Sequence, residues 1–194
     1  MSISLTKGGT LSLKKEDGGE LTRVRMGLGW DQAKKGGFFG GLSSGSIDLD
    51  ASALLFDANR QLVDTVAFNK LRSKDGSVTH GGDNLTGAGD GDDETIDVDL
   101  SRVPANVTAI AFVITSYSGQ AFDKITNVFC RLVDLSAGQK EIVKYQLGSE
   151  QGSNNAQVMA IVARSGSGWT FRAIGESARG KVAKDMVQVS AAAL

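Results

Sequence analysis

Thr95-Ile96-Asp97-Val98-Asp99-Leu100 alternates polar and apolar side chains without a break, and Val107-Thr108-Ala109-Ile110-Ala111-Phe112-Val113-Ile114-Thr115-Ser116-Tyr117 follows it, largely apolar and rich in β-branched residues. The first has the period of a strand with one face in a core and the other in water; the second reads as a strand buried on both faces. Outward from this pair, period-2 segments recur at residues 2–5, 10–14, 21–30, 46–56, 61–68, 128–135, 141–147, 156–164 and 168–174. Along 21–30 the alternation turns Val24, Met26 and Leu28 inward and Arg23 and Arg25 outward. Along the start of 46–56 it puts Ile47, Leu49 and Ala51 on one face and Asp48, Asp50 and Ser52 on the other. Residues 2–5 and 10–14 read as short strands joined at Gly8-Gly9. Residues 121–127 and 181–187 fit one or two short helices, and residues 70–94 carry no hydrophobic period and read as one long loop. About ten short strands with glycine in the turns describe an all-β fold, an antiparallel β-sandwich, better than any βαβ arrangement. No linker, heptad pattern or solenoid repeat interrupts it, so residues 1–194 are expected to form a single domain.

The composition narrows the function classes. The 194 residues include 21 Lys+Arg against 22 Asp+Glu, a formal net charge of −1, which argues against a partner held by bulk electrostatics such as nucleic acid. The one cysteine, Cys130, forms no intramolecular disulfide, and the one histidine, His80, excludes sites built from several imidazoles. Residues 1–7 lack the basic stub and apolar run of an export signal, and no apolar run approaches the roughly 20 residues of a membrane span. A soluble, cytoplasmic protein is expected.

Charge is unevenly placed. Between Asp75 and Ser101 there is no Lys or Arg, while residues 83–99 hold seven carboxylates. The densest part reads Asp83-Asn84-Leu85-Thr86-Gly87-Ala88-Gly89-Asp90-Gly91-Asp92-Asp93-Glu94. Carboxylates packed this closely repel one another unless a cation sits among them. Calcium fits, because it takes 6–8 oxygen ligands in adaptable geometry and accepts backbone carbonyls, which glycines bring close. The segment is not an EF-hand, whose third and fifth positions would be Leu85 and Gly87. Nor is the single Gly89-Asp90-Gly91-Asp92-Asp93 run a calcium β-roll, which needs tandem copies. A sandwich can complete such a site by bringing loops together at one end, and Asp31, Asp48 and Asp50 are placed to supply further oxygens. Asp97 and Asp99 alternate outward and read as solvated.

Gly29-Trp30-Asp31, Ile47-Asp48-Leu49-Asp50-Ala51-Ser52, the block Gly82-Asp83-Asn84-Leu85-Thr86-Gly87 with Gly91-Asp92-Asp93-Glu94, and Ser116-Tyr117-Ser118-Gly119-Gln120-Ala121-Phe122, in that order along nearly the whole chain, resemble the TerD family of tellurite-resistance and bacterial stress proteins. The insert Lys34-Lys35-Gly36-Gly37-Phe38-Phe39-Gly40-Gly41 is most similar to the TerZ branch. The resemblance implies a calcium-binding β-sandwich of the cytoplasm, with calcium as cofactor and protein partners in a tellurium-resistance or stress complex, membrane association included. Carried over by motif, the implied metal-binding residues are Asp31, Asp48, Asp50, Asp83, Asn84, Asp90, Asp92, Asp93 and Glu94. Ala88 departs from the family, many of whose members carry Glu there.

Two functions compete. The leading one is a non-catalytic module in which calcium orders an acidic loop surface for a protein or membrane complex. The alternative is a metal-dependent hydrolase with Asp92, Asp93 or Glu94 as base, which would need an open metal position and a pocket with cations for an anionic substrate, and the acidic segment supplies none. Sequestration of tellurium compounds lacks the necessary thiols. His80 reads as a surface hydrogen-bonding residue, Cys130 as a buried structural thiol, and Lys34-Lys35 with Phe38-Phe39 as a loop as apt to be solvated as to touch a membrane.

Overall fold

A computed structural model describes residues 2–15, 17–32, 48–82, 91–122, 125–136, 138–147 and 152–194. Among these residues twelve strands form: β1 (Ile3–Leu5), β2 (Thr10–Ser12), β3 (Arg23–Gln32), β4 (Leu49–Phe56), β5 (Leu62–Val66), β6 (Val78–His80), β7 (Glu94–Asp99), β8 (Ala109–Ser116), β9 (Ile125–Asp134), β10 (Lys140–Gln146), β11 (Ala156–Ser165) and β12 (Gly168–Ala178). They make two six-stranded sheets, ordered β1-β10-β9-β3-β7-β6 and β2-β12-β11-β8-β4-β5. Every pairing is antiparallel except β1 with β10. The chain between β1 and β2 crosses from one sheet to the other at Gly8-Gly9, so these two strands are not partners in a hairpin.

Alternation explains the layers. Val24, Met26 and Leu28 of β3, Ile96 and Val98 of β7, and Leu132 of β9 meet Ala53 and Leu55 of β4, Ile110, Phe112 and Ile114 of β8, and Phe171 of β12 in one core between the sheets. The other face of the second sheet is apolar too. There Leu54, Phe56, Ala111, Val113, Val158 and Ile161 pack with Ala183 and Met186, which belong to a 3-10 turn (Ala183–Met186) that runs into α1 (Val187–Ala193). This cover is why every residue of β4 and β8 is buried. Asp185 caps the turn by accepting from the backbone N–H groups of Lys181 and Val182. The guanidinium groups of Arg60 and Arg172 donate to the carbonyls of Ala191 and Ala193, satisfying groups that a helix C-terminus leaves open.

Three sequence expectations are corrected. Residues 125–127, read as part of a helical turn, begin β9, where Ile125 is buried in the core. The stretch 70–94 is not one loop: Val78–His80 pairs with β7, and Leu71 and Arg72 cover its outer edge through His80 N–H to Leu71 O and an Arg72–Thr79 bridge. Three residues are too few to show a period, and the pairing that forms them is non-local. The helix expected at 181–187 lies further on: only a 3-10 turn forms over Ala183–Met186, and the α-helix starts at Val187 and runs to Ala193.

Candidate functional site

The register gathers the ends of β3, β6 and β8 and the starts of β4, β7 and β9 at one end of the sandwich. Glu94 opens β7 opposite Leu28 of β3. Counting back by two from Val98 and Ile96 puts Glu94 on the inward face, and it is 1% exposed. Its Oε2 accepts from the Ala51 N–H of β4, in the opposite sheet, at 2.6 Å, and lies 3.5 Å from His80 Nε2. His80 Nε2 is also 3.1 Å from Ala51 O, while its Nδ1 accepts from the Gly82 N–H at 3.1 Å. An Nδ1 that accepts leaves the proton on Nε2, so this ring is the neutral tautomer that donates toward Ala51 O. His80 is therefore not the surface residue the sequence suggested; it is 3% exposed. Glu94 and His80, on either side of the acidic segment, thus both grip the backbone of one residue of the opposite sheet, Glu94 its N–H and His80 its C=O.

Asp92 and Asp93 hold the neighbouring chain to β3. Asp93 Oδ2 accepts from the Trp30 N–H at 2.9 Å, and Asp93 N–H donates to Leu28 O at 2.7 Å. Asp92 lies on the outer face of the first sheet in a bidentate pair with Arg131 of β9, Nε to Oδ1 at 2.7 Å and Nη2 to Oδ2 at 3.1 Å. Arg131 Nη1 also donates to Glu141 Oε2 at 3.2 Å. The Asp92 hydrogen bond holds the Arg131 guanidinium above its ordinary pKa, against the opposing pull of burial. Arg131 is a cation the acidic segment itself lacks, and sequence reasoning missed it. The available signal was Gly27-Leu28-Gly29: glycines fill the outward positions of a strand whose inward ones are Met26, Leu28 and Trp30. A Cβ on Gly27 would run into the Asp92 carboxylate, and one on Gly29 would lie 2.7 Å from Gly91 O and against the Phe129 ring. The two glycines make the seat on which residues 91–92 rest.

Gly27→Ala is accordingly expected to dislodge the Asp92 carboxylate and destabilise the protein by about 1–3 kcal/mol, the usual cost of overfilling a packed site. Because the loss runs through one ion pair, Gly27→Ala and Asp92→Ala combined should cost clearly less than their sum in a thermal-unfolding double-mutant cycle. Additive losses would show that the glycine serves something other than the Asp92 seat.

Of the remaining candidates, only Asp48 and Asp50 have described side chains. Asp48 is half-buried and accepts from the Tyr117 N–H through its backbone carbonyl at 3.2 Å. Asp50 is 4% exposed, stands opposite Thr115 of β8, and alternates onto the outer face of the second sheet. The backbone of Asp31 pairs with Thr126, but its side chain lies outside the described residues, as do Asp83, Asn84 and Asp90 altogether. Glu94 thus faces between the sheets, Asp92 onto the outside of one and Asp50 onto the outside of the other. Among the described residues no three His, Cys, Asp or Glu side chains come together as a metal cluster. Asp97 points outward as read, in a bidentate pair with Arg25 at 2.6 and 2.9 Å. Cys130 is buried in the core, and burial pushes its thiol up to about 12. It is a packed thiol, as the sequence suggested.

The TerD domain model matches residues 1–188. The chain belongs to the TerD family. Within that family it is 48% identical to the tellurium resistance protein TerZ of Serratia marcescens over 186 residues, covering 95% of this chain and 94% of that one. It is 40% identical to the stress response protein SCP2 of Bacillus subtilis over 198 residues, covering 96% and 98%. The crystal structure of a homologue of telluride resistance protein TerD, SCO6318 from Streptomyces coelicolor A3(2), superimposes with a TM-score of 0.68 at 22% identity, covering 86% of this chain and 95% of that one. This TerD-family chain is thus one of the tellurium-resistance and stress-response proteins, and its sandwich is the fold of that structure. Among its described residues no helix is long and apolar enough to cross a membrane.

Proposed function

We propose that this TerD-family protein is a non-catalytic calcium-binding module of the tellurium-resistance and stress response, in which calcium orders the acidic segment at one end of the sandwich into a surface for a protein partner. The observation that carries the reading is the anchoring of both ends of that segment, His80 and Glu94 on Ala51 and Asp93 on Trp30, around a stretch rich in oxygen donors and without a cation of its own. The donor set fits a hard cation: carboxylates, one amide and glycine carbonyls, with the single imidazole turned into the core. Asp83, Asn84 and Asp90, with Asp93, Asp31, Asp48 and Asp50 as further candidates, are the residues to hold the ion. Asp92 and Glu94 already hold Arg131 and Ala51, and so fix the segment in place. When bound, calcium supplies charge neutralisation and order. The hydrolase alternative asks for a carboxylate free to act as a base, whereas Asp92, Asp93 and Glu94 each accept hydrogen bonds from the protein's own groups.

Calorimetric titration of metal-stripped protein is the test. Saturable calcium binding is expected, with magnesium much weaker because it demands a smaller octahedral site. Asp83→Asn/Asp90→Asn should abolish the calcium signal while leaving the far-ultraviolet strand spectrum intact. Calcium at about 100 times its Kd should stabilise the fold by about 2.7 kcal/mol, seen as a raised Tm. No heat and no Tm shift with calcium would reject the reading. A protein partner should then be retained on immobilised protein in calcium and released by chelator.

A further inference from the structure

At the other end of the sandwich, where β9 ends and β10 begins, a cleft of about 510 Å³ opens between the two N-terminal edge strands and the turn that follows them. Its origin is the strand-to-strand crossing at Gly8-Gly9. β1 extends one sheet and β2 the other, each by three residues, and the chain then turns back through Lys15 and Gly19, joined by Lys15 N–H to Gly19 O at 2.6 Å. The cleft falls in the range of roughly 300–1,000 Å³ typical of small-molecule sites. Its walls include Ile3, Leu11, Leu21 and Ile142, and Ile3 is 43% exposed, one of the few large apolar side chains open to solvent among the described residues.

The charges around the cleft divide unequally between used and unused. Three acids line it, and each is engaged by the protein. Asp17 accepts from the Gly19 N–H at 2.9 Å, and Asp134 accepts from the Ser136 N–H at 2.8 Å and the Ser136 hydroxyl at 2.6 Å. Glu141 is held by the Ser2 hydroxyl and by Arg131. Although burial acts to raise it, these bonds keep the Glu141 carboxyl below its ordinary range and hence ionised and occupied. Three lysines line it as well: Lys140 has a partner of its own, whereas the ammonium groups of Lys14 and Lys15 enter no ion pair among the described residues. Unused charge in the cleft is thus positive, and it stands beside an apolar wall.

We infer that this cleft binds a small organic anion with an apolar body, its charged head held by Lys14 and Lys15 and its body laid against Ile3, Leu11, Leu21 and Ile142. The site is separate from the acidic rim, and the inference does not depend on calcium.

Octanoate is the probe, followed by calorimetry and by methyl-labelled NMR of the whole protein. Octanoate should saturate one site and shift the methyl signals of Ile3, Leu11, Leu21 and Ile142. 1-Octanol, with the same body and no charge, should bind at least tenfold more weakly. Lys14→Ala/Lys15→Ala should weaken octanoate at least tenfold, whereas Lys144→Ala, which removes an ammonium stacked 3.8 Å from the Phe129 ring centre on the open face of the first sheet, should leave it unchanged. Shifts confined to other methyl groups, octanol binding as tightly as octanoate, or an unaltered affinity in the double variant would each overturn the assignment. Should the double variant fail to fold, the octanoate and octanol comparison on the native chain still decides.

Discussion

Glu94→Ala is expected to destabilise the protein by about 2–5 kcal/mol, read as a lower urea midpoint at unchanged slope. The side chain is wholly buried and takes the Ala51 N–H at 2.6 Å, a hydrogen bond across the two sheets. Truncation leaves that N–H without its acceptor and His80 Nε2 without its neighbour, and an unsatisfied buried donor costs about 1–3 kcal/mol before the cavity is counted. Glu94→Gln should recover part of the loss, because its amide oxygen can still accept from Ala51. A loss below about 0.5 kcal/mol in Glu94→Ala would mean that the tie between the sheets is not made through this carboxylate.

Met186→Ala is the second large effect, expected at about 2–5 kcal/mol for a large side chain deleted from a packed interior. Met186 is fully buried against the outer face of the second sheet, beside Leu54, Phe56, Val113 and Ile161. Ending the chain after Lys181 removes the whole cover and bares that face, so the truncated protein should bind more of a hydrophobic dye and aggregate more readily than the full chain. A truncated chain that unfolds at the native midpoint would show that the 3-10 turn and α1 contribute nothing to the sandwich.

The sandwich was legible wherever a strand was long enough to show its period. Residues 21–30 announced Val24, Met26 and Leu28 as core, and they are. Legibility failed where pairing, not pattern, makes the strand. β6 is held by β7 on one side and by Leu71 and Arg72 on the other, contacts that no local window contains. β1 and β2 alternate well enough to be seen, but nothing in a short period says that they belong to different sheets. At the site, the acidic segment was visible from composition, while its partners were not. Arg131 meets Asp92 only because β9 and β7 flank β3, and His80 is buried only because Ala51 of the other sheet stands behind it. Glu94 was half-legible: the same alternation that marked Ile96 and Val98 as inward marks it too, yet a carboxylate in an acidic run draws attention to its charge before its phase.

The cover over the second sheet also sets an order of events during synthesis. β4 and β8 leave the ribosome early, with both faces apolar, but the residues that shield their outer face are Ala183–Met186 and the helix after it, made only after β12. Until then the nascent chain carries a sheet that can close one side and not the other. Any chaperone that shelters exposed β-sheet until the chain is complete should therefore govern how much of the protein is recovered in native form.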